Sequence, residues 1–477
     1  MKHVKNGNNN IPRVMIAAAG SGSGKTVITC ALLEILKNRG YSPISFKCGP
    51  DYIDPMFHRT VLGIDSHNLD MYLAGAEGVR DVFDRAVSGS GCDSSVIEGV
   101  MGIYDGMKPG SLDGSCYETA GITQTPIILI VDAAGVGQTV VSLIKGVLAD
   151  DPMQLIKGVI LNRMSDAFYE KIRPHLREEL SEIRPDVAVL GHIPKSDEFA
   201  LESRHLGLKL PAEVEDIREK IERIAKIVEK ECDIDAVVKV MLSAQTDEHV
   251  SCSQPHDEST GSLQYRGVTI SPETSSRALD GLTVAVARDE AFCFYYPENL
   301  AYLGQLGAKI TYFSPIRDAK IPDGTDAILI GGGYPELYLE ELQSNRSMLE
   351  SVGTAIEKGI PSIAECGGFM YLHRMIEDAE GRQYAMAGVI DGICRYTGHL
   401  VNFGYTQIKE VREDLACDFR EALVGMRGHE FHYYESTADG NDATLCKPSS
   451  GRTYKGMHIG SDRLWGWPHL WYPGLVK

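Results

Sequence analysis

Short β-rich runs at 14–18, 42–46, 94–97, 127–131, 159–161 and 187–190 recur along the first half of the chain. Between them lie stretches with apolar residues three and four positions apart. Strands that are apolar throughout, without polar alternation, are those covered by helices on both faces of a parallel sheet. The first half is therefore expected to form an open α/β sheet. Segments 26–39 and 214–231 repeat their apolar positions at helical spacing and are expected as helices.

The pattern breaks between 243 and 279, where SAQTDEHVSCSQPHDESTGS and its surroundings carry few large apolar residues. Such composition predicts an interdomain linker. The strand rhythm restarts at 282–287, 309–313, 327–330 and 362–364, which predicts a second α/β domain. The expected organisation is thus a domain at 11–242, a linker at 243–279 and a domain at 280–477. A chain of 477 residues is long enough for two separate cores.

With 47 Lys+Arg against 66 Asp+Glu the formal charge is −19, which argues against a general nucleic-acid binder or a polybasic membrane-surface protein. No apolar run approaches the roughly 20 residues of a membrane span, and residues 1–10 lack an apolar targeting core, so a cytoplasmic protein is expected. The 11 cysteines include no CxxC pair, which predicts neither a zinc cage nor a disulfide ladder.

The first strand runs into AAAGSGSGKT and then a helical pattern, the setting of a phosphate-binding P-loop. Backbone N–H groups of Gly22, Ser23 and Gly24 can surround phosphate oxygens, Lys25 can reach the β- and γ-phosphates, and the Thr26 hydroxyl can bind Mg²⁺. The usual first glycine of the motif is Ala19 here, and Gly20 stands where positioning ATPases carry an extra lysine. FKCGPDYIDP places Lys47, Asp51 and Asp54 after the second strand, and VIEGVMGIYDG places Glu98 and Asp105 after the third. Ligands collect at the carboxyl ends of such strands, so these carboxylates can converge on a metal-bound triphosphate.

In the second half, 327–330 opens into Gly331-Gly332-Gly333-Tyr334-Pro335-Glu336, and 362–364 opens into Glu365-Cys366-Gly367-Gly368. A cysteine between a strand and a Gly-Gly turn presents sulfur to a pocket, where a following helix N-terminus favours thiolate. N–H groups of Gly332, Gly333 and Gly367 can stabilise a tetrahedral oxyanion. The thiol needs a base, and spacing alone leaves His429, His432 and His469 open.

The combination resembles the cobyrinate a,c-diamide synthase family, in which a dethiobiotin-synthetase-like ATPase domain is fused to a class I glutamine amidotransferase domain. The resemblance rests on SGSGKT, FKCGPDYIDP, NLDMYL at 68–73, VIEGVMGIYDG, SRHLGLKLPAE at 203–213, AFCFYYPENL at 291–300, GGGYPELY, AECGGFMYL and GHEFHYYE. It implies that Gly24, Lys25 and Thr26 bind ATP with Mg²⁺, that Asp51 and Glu98 help hold the metal, and that Asp54 and Asp105 face the reacting carboxylate or phosphate. Lys47 is grouped with the nucleotide-binding residues. Cys366 would attack the glutamine amide, with His469 as its activating base and His432 in reserve. Ordinary class I enzymes place a Glu two residues after that histidine, but Trp471 stands here, which leaves a dyad.

The implied substrate is cobyrinate, a polyanionic tetrapyrrole amidated at its a and c acetates in cobalamin biosynthesis, with Arg59, Arg204 and His205 as candidate carboxylate-binding positions. Nickel-sirohydrochlorin, on the route to coenzyme F430, is the alternative that no motif separates. A nucleotide-switched positioning protein with a noncatalytic second domain is the competing class, and Gly20 and the AECGG elbow argue against it. Sequence fixes no oligomeric state and allows a homodimer.

Overall fold

The computed structural model describes residues 11–199, 211–244, 278–415, 417 and 419–474. Arg204, His205 and most of the expected linker lie outside them. The chain divides into two compact units, residues 1–252 and 253–477.

The first unit is built on β1 (Arg13–Ala18), β2 (Pro43–Cys48), β3 (Ser66–Leu69), β4 (Ser94–Glu98), β5 (Ile127–Asp132), β6 (Ile156–Asn162) and β7 (Ala188–Ile193). They form one sheet in the order β3-β2-β4-β1-β5-β6-β7, and every pairing is parallel. Successive side chains of a strand face opposite ways, and β1 is buried on both sides. Val14, Ile16 and Ala18 join a core with helix Lys25–Asn38, whereas Met15 and Ala17 join another with helices Met71–Ser90 and Asp166–Ile183. This is the doubly covered sheet that the apolar runs predict. The strand absent from that prediction is β3, whose Ser66 and Asn68 are buried polar residues.

The second unit contains β8 (Thr283–Ala287), β9 (Lys309–Phe313), β10 (Ala327–Ile330), β11 (Ser362–Glu365), β12 (His373–Glu377), β13 (Gln383–Ala385), β14 (Ile390–Val411), β15 (Arg427–Ser436), β16 (Ala443–Cys446), β17 (Thr453–Gly456), β18 (His458–Gly460), β19 (Arg463–Gly466) and β20 (His469–Leu470). One sheet runs β18-β19-β11-β10-β8-β9, parallel except for the antiparallel β18–β19 edge. A further sheet, β13-β12-β14-β15-β20 with β16 paired to β14 and β17 paired to β16, is mainly antiparallel and extends the plain α/β expectation. It brings β20, and with it His469, alongside His429 of β15. Among the described residues no helix is long and apolar enough to cross a membrane.

Between β11 and helix Gly367–Leu372 the chain turns so tightly that a Cβ added to Gly368 would collide with the backbone carbonyl of Ile330. Relieving that overlap requires backbone movement, for which about 1–3 kcal/mol is the ordinary cost of overpacking. All 3 tryptophans of the chain, Trp465, Trp467 and Trp471, lie in the second unit, so their fluorescence reports its unfolding alone. Gly368→Ala is expected to lower the urea midpoint seen by tryptophan fluorescence, and an unchanged midpoint would refute the packing argument.

Candidate active sites

Helix Lys25–Asn38 starts where β1 and its loop end, with Gly22 and Gly24 at φ +73° and +89°. Those left-handed positions favour glycine, and at Gly24 a Cβ would also lie 2.5 Å from the Asn162 amide nitrogen. Ala19 keeps a negative φ, so the glycine usual at that position is not required by this backbone. The loop is tied from within by the Ser23 hydroxyl, which donates to the Gly20 carbonyl at 2.9 Å. It is tied from outside by residues the sequence did not single out: Asn162 at the end of β6 donates to Ser23 O at 2.8 Å, and Arg163, paired with Asp132, donates to Gly22 O at 3.0 Å. Their only signal was a position at a strand's carboxyl end. The Lys25 ammonium donates to Gly20 O at 3.1 Å and Met101 O at 2.6 Å, and burial lowers its pKa.

Lys47 and Glu98 are opposite one another in the β2–β4 register. The Lys47 ammonium lies 2.5 Å from Asp54 Oδ2, 2.8 Å from Glu98 Oε1 and 3.9 Å from Asp51 Oδ2. Burial alone would lower the Lys47 pKa, but Glu98, Asp54 and Asp51 together hold it well above its ordinary value. Burial and the neighbouring Asp54 push the Glu98 carboxyl up to about 8, against the pull of Lys47. The Thr26 hydroxyl donates to Glu98 Oε1 at 2.5 Å, while Glu98 Oε2 is buried with no hydrogen-bond partner among the described residues. Thr26, Glu98 and Asp51 are a set of hard oxygen donors at the foot of the loop, and an orphaned carboxylate oxygen among them fits Mg²⁺.

Thr26, Lys47, Asp51, Asp54 and Glu98 are therefore gathered in one place. Asp105 is exposed, its Oδ2 accepts the Gly102 N–H at 2.7 Å, and its charge acts on the Lys25 ammonium. Asn68 of β3 holds the acidic loop by donating to Gly49 O at 2.9 Å and Asp51 O at 2.7 Å. Arg59 donates to Ser66 O at 2.5 Å. Beside the loop, Ala133, Gly135, Arg163, Phe168, Pro194 and Lys195 line a pocket of about 690 Å³, large enough for a nucleoside.

In the second unit Cys366 has φ +49° and ψ −105°, a conformation that costs a non-glycine residue on the order of 1–3 kcal/mol. It is held by β11 on one side and by its own N–H, which donates to Gly466 O of β19 at 2.9 Å. A Cβ on Gly367 would be 3.2 Å from Gly333 N, which brings the two glycine turns together at the elbow. Burial, and then the Glu336 carboxylate, push the Cys366 thiol far up, against the pull of the helix N-terminus toward thiolate. That helix is only 6 residues long, too short to outweigh desolvation.

The imidazole of His469 lies directly against Gly332, where a Cβ would overlap its ring, with Nε2 nearer than Nδ1. Its Nδ1 is 4.0 Å from Glu365 Oε2, and burial lowers its pKa to about 3. His432 is placed differently: it stacks on Trp467 with ring centroids 4.0 Å apart, donates from Nδ1 to Tyr434 O at 2.7 Å and faces Glu430 at 3.4 Å. His429 pairs across the ladder with His469 and packs edge-on against Phe403 and Tyr405.

Residues 14–208 match the CobQ/CobB/MinD/ParA nucleotide binding domain, and residues 283–466 match the CobB/CobQ-like glutamine amidotransferase domain. The cobyrinate a,c-diamide synthase of Listeria innocua is 38% identical over 428 residues, covering 89% of this chain and 88% of its own. That of Fusobacterium nucleatum is 35% identical over 471 residues, covering 97% and 98%. That of Clostridium tetani is 34% identical over 455 residues, covering 95% and 92%.

His58 sits beneath the acidic cluster, its Nδ1 3.0 Å from Ser45 Oγ and its Nε2 3.7 Å from Glu98 Oε2. Burial lowers its pKa from 6.5 to about 4. Between those values the unfolded chain binds a proton that the folded one does not, so the contribution is whole above pH 6.5 and is lost as pH falls toward 4. Over that window it amounts to about 3 kcal/mol. Protection factors of the β2 and β4 amides, with the intrinsic pH dependence of exchange divided out, should fall on acidification from pH 6.5 toward 4, and His58→Gln should flatten that fall; equal slopes would reject the assignment.

Proposed function

The chain belongs to the cobyrinate a,c-diamide synthase family of glutamine-dependent amide ligases, and on that premise we propose that it amidates the a and c acetate carboxylates of cobyrinate with ATP and glutamine. The observation that carries the proposal is the pairing of a P-loop lysine anchored on one sheet with a strained cysteine elbow on another, in one polypeptide.

A carboxylate resists attack because its charge is shared between two oxygens, so it must first be activated. In the first unit the substrate carboxylate oxygen attacks the γ-phosphorus of ATP, the bond to the β-bridging oxygen breaks, and ADP leaves an acyl phosphate behind. Lys25 and the N–H groups of the Gly22–Gly24 turn offset the charge on the transferring group. Thr26, Glu98 and Asp51 would hold Mg²⁺, which would supply charge neutralisation of the phosphates. Lys47 fixes Glu98 and Asp54 in place, and the pocket beside Arg163 and Pro194 receives the nucleoside. Ammonia then adds to the acyl carbon, phosphate departs and a proton is released.

The ammonia originates in the second unit. His469 takes the thiol proton of Cys366 as sulfur attacks the glutamine side-chain carbonyl, with Gly332, Gly333 and Gly367 N–H groups receiving the oxyanion. The proton passes to the leaving amine, and water resolves the thioester to glutamate. The position of His469 against Gly332 favours it over His432, whose ring nitrogens face Tyr434 and Glu430.

Glutamine labelled at its amide nitrogen should transfer label into cobyrinate, with mass spectrometry showing two amides gained. A parallel incubation with nickel-sirohydrochlorin tests the other macrocycle, and amidation of that substrate alone would overturn the cobyrinate assignment. Cys366→Ala should lose glutamine-driven synthesis yet keep synthesis with high free ammonia, whereas Lys25→Ala should lose both. Equal loss of both activities in Cys366→Ala would contradict two separate centres.

A further inference from the structure

A buried thiol and a buried neutral imidazole form an uncharged resting pair, because desolvation raises the first pKa and lowers the second. Moving the proton creates a thiolate and an imidazolium out of water, which is costly unless a nearby group compensates. The carboxylate that other class I enzymes carry two residues beyond the histidine is replaced by Trp471. That indole is buried and packs edge-on against Tyr296, with centroids 5.4 Å apart, so it has no charge to offer.

We propose that Glu365, the residue immediately before the nucleophile, is the positioning carboxylate of His469. The proposal rests on His469 being the base of Cys366. Glu365 is the last residue of β11, 6% exposed, and its side chain turns toward β20. Its Oε1 accepts the Leu470 N–H at 3.1 Å and the Tyr472 hydroxyl at 2.8 Å, which clamps the carboxylate against the residues that follow His469. Its Oε2 faces His469 Nδ1 at 4.0 Å. A carboxylate on that side favours the tautomer protonated at Nδ1, which leaves Nε2, the nitrogen nearer Gly332, as the acceptor. Burial raises the Glu365 pKa to about 7, so at neutral pH the carboxyl is poised between its two forms; once Nε2 is protonated, the adjacent imidazolium favours the charged form, which in turn stabilises the imidazolium. Glu365 thus occupies the role of the missing third member from a different place in the chain.

Glu365→Gln keeps the shape and removes the charge. For glutamine hydrolysis it should lower kcat at least tenfold and leave KM within about twofold, because no contact to glutamine is lost. Alkylation of Cys366 by iodoacetamide at neutral pH, read by peptide mass spectrometry, separates action through His469 from a direct field on sulfur. Removing a negative charge beside a thiol by itself favours thiolate and speeds alkylation. Action through His469 predicts slower alkylation in Glu365→Gln, and no such slowing when the change is added to His469→Asn. A wild-type kcat in Glu365→Gln, a rise in KM as large as the fall in kcat, or the same slowing with and without His469 would each overturn the proposal. Retention of glutamine hydrolysis by His469→Asn would overturn the base assignment itself, and the proposal with it, and is recognised by that variant alone.

Discussion

Charge held out of water at the ends of parallel strands is the constraint on which both units turn. Lys47 and Glu98 meet at 2.8 Å with side chains almost wholly inaccessible, and Asp54, 2.5 Å from the same ammonium, shares in compensating its charge. Removing one partner of such a pair leaves the full desolvation of the survivor. Asp54, Asp51 and Thr26 extend the pair into a cluster, so the acidic loop after β2 and the P-loop after β1 are fixed relative to one another. A site that must receive a highly charged phosphate ligand is thereby pre-formed, with one lysine held among three carboxyl groups.

The second unit meets the same constraint differently. Here burial holds the Cys366 thiol and the His469 imidazole toward their neutral forms, with the carboxyl groups of Glu336 and Glu365 close by. The glycines of the two turns let backbone N–H groups approach the elbow without side chains between, as the close approach of Gly367 to Gly333 and of His469 to Gly332 shows. Strain at Cys366 is the counterpart in backbone terms, a cost borne by β11, β19 and the following helix.

Much of this was legible because local chemistry and tertiary placement agree. Runs such as RVMIAA are buried on both faces and report a covered parallel sheet, and glycine turns after strands report the two centres. What was not legible is where polar residues are the buried ones. In β15 the inward set includes Glu430 and His432, while Phe431 between them is 52% exposed, so the alternation is inverted and hydrophobic period gives no useful face. In β3 the strand is SHNL, recognisable only once Asn68 is seen bracing the acidic loop. Asn162 and Arg163 escape for a similar reason, since their partners lie about 140 positions away, at |i−j| of 139 and 141.

The choice between histidines shows what geometry adds to residue type. His432 and His469 are both buried and both near the elbow's sheet, and a count of positions from Cys366 cannot rank them. A base needs one ring nitrogen free to meet the nucleophile and the other directed by a partner that defines the tautomer. His432 gives Nδ1 to a backbone carbonyl, turns Nε2 toward a glutamate already held by Tyr454 and Lys447, and stacks flat on Trp467. It is a member of a closed polar network in the antiparallel sheet, and such networks hold strands in register. His469 lies where β20 meets the first glycine turn, with a carboxylate on the opposite side of its ring. The second arrangement, with a glycine turn on one side of the ring and a carboxylate on the other, is the one on which the proposed base role of His469 rests.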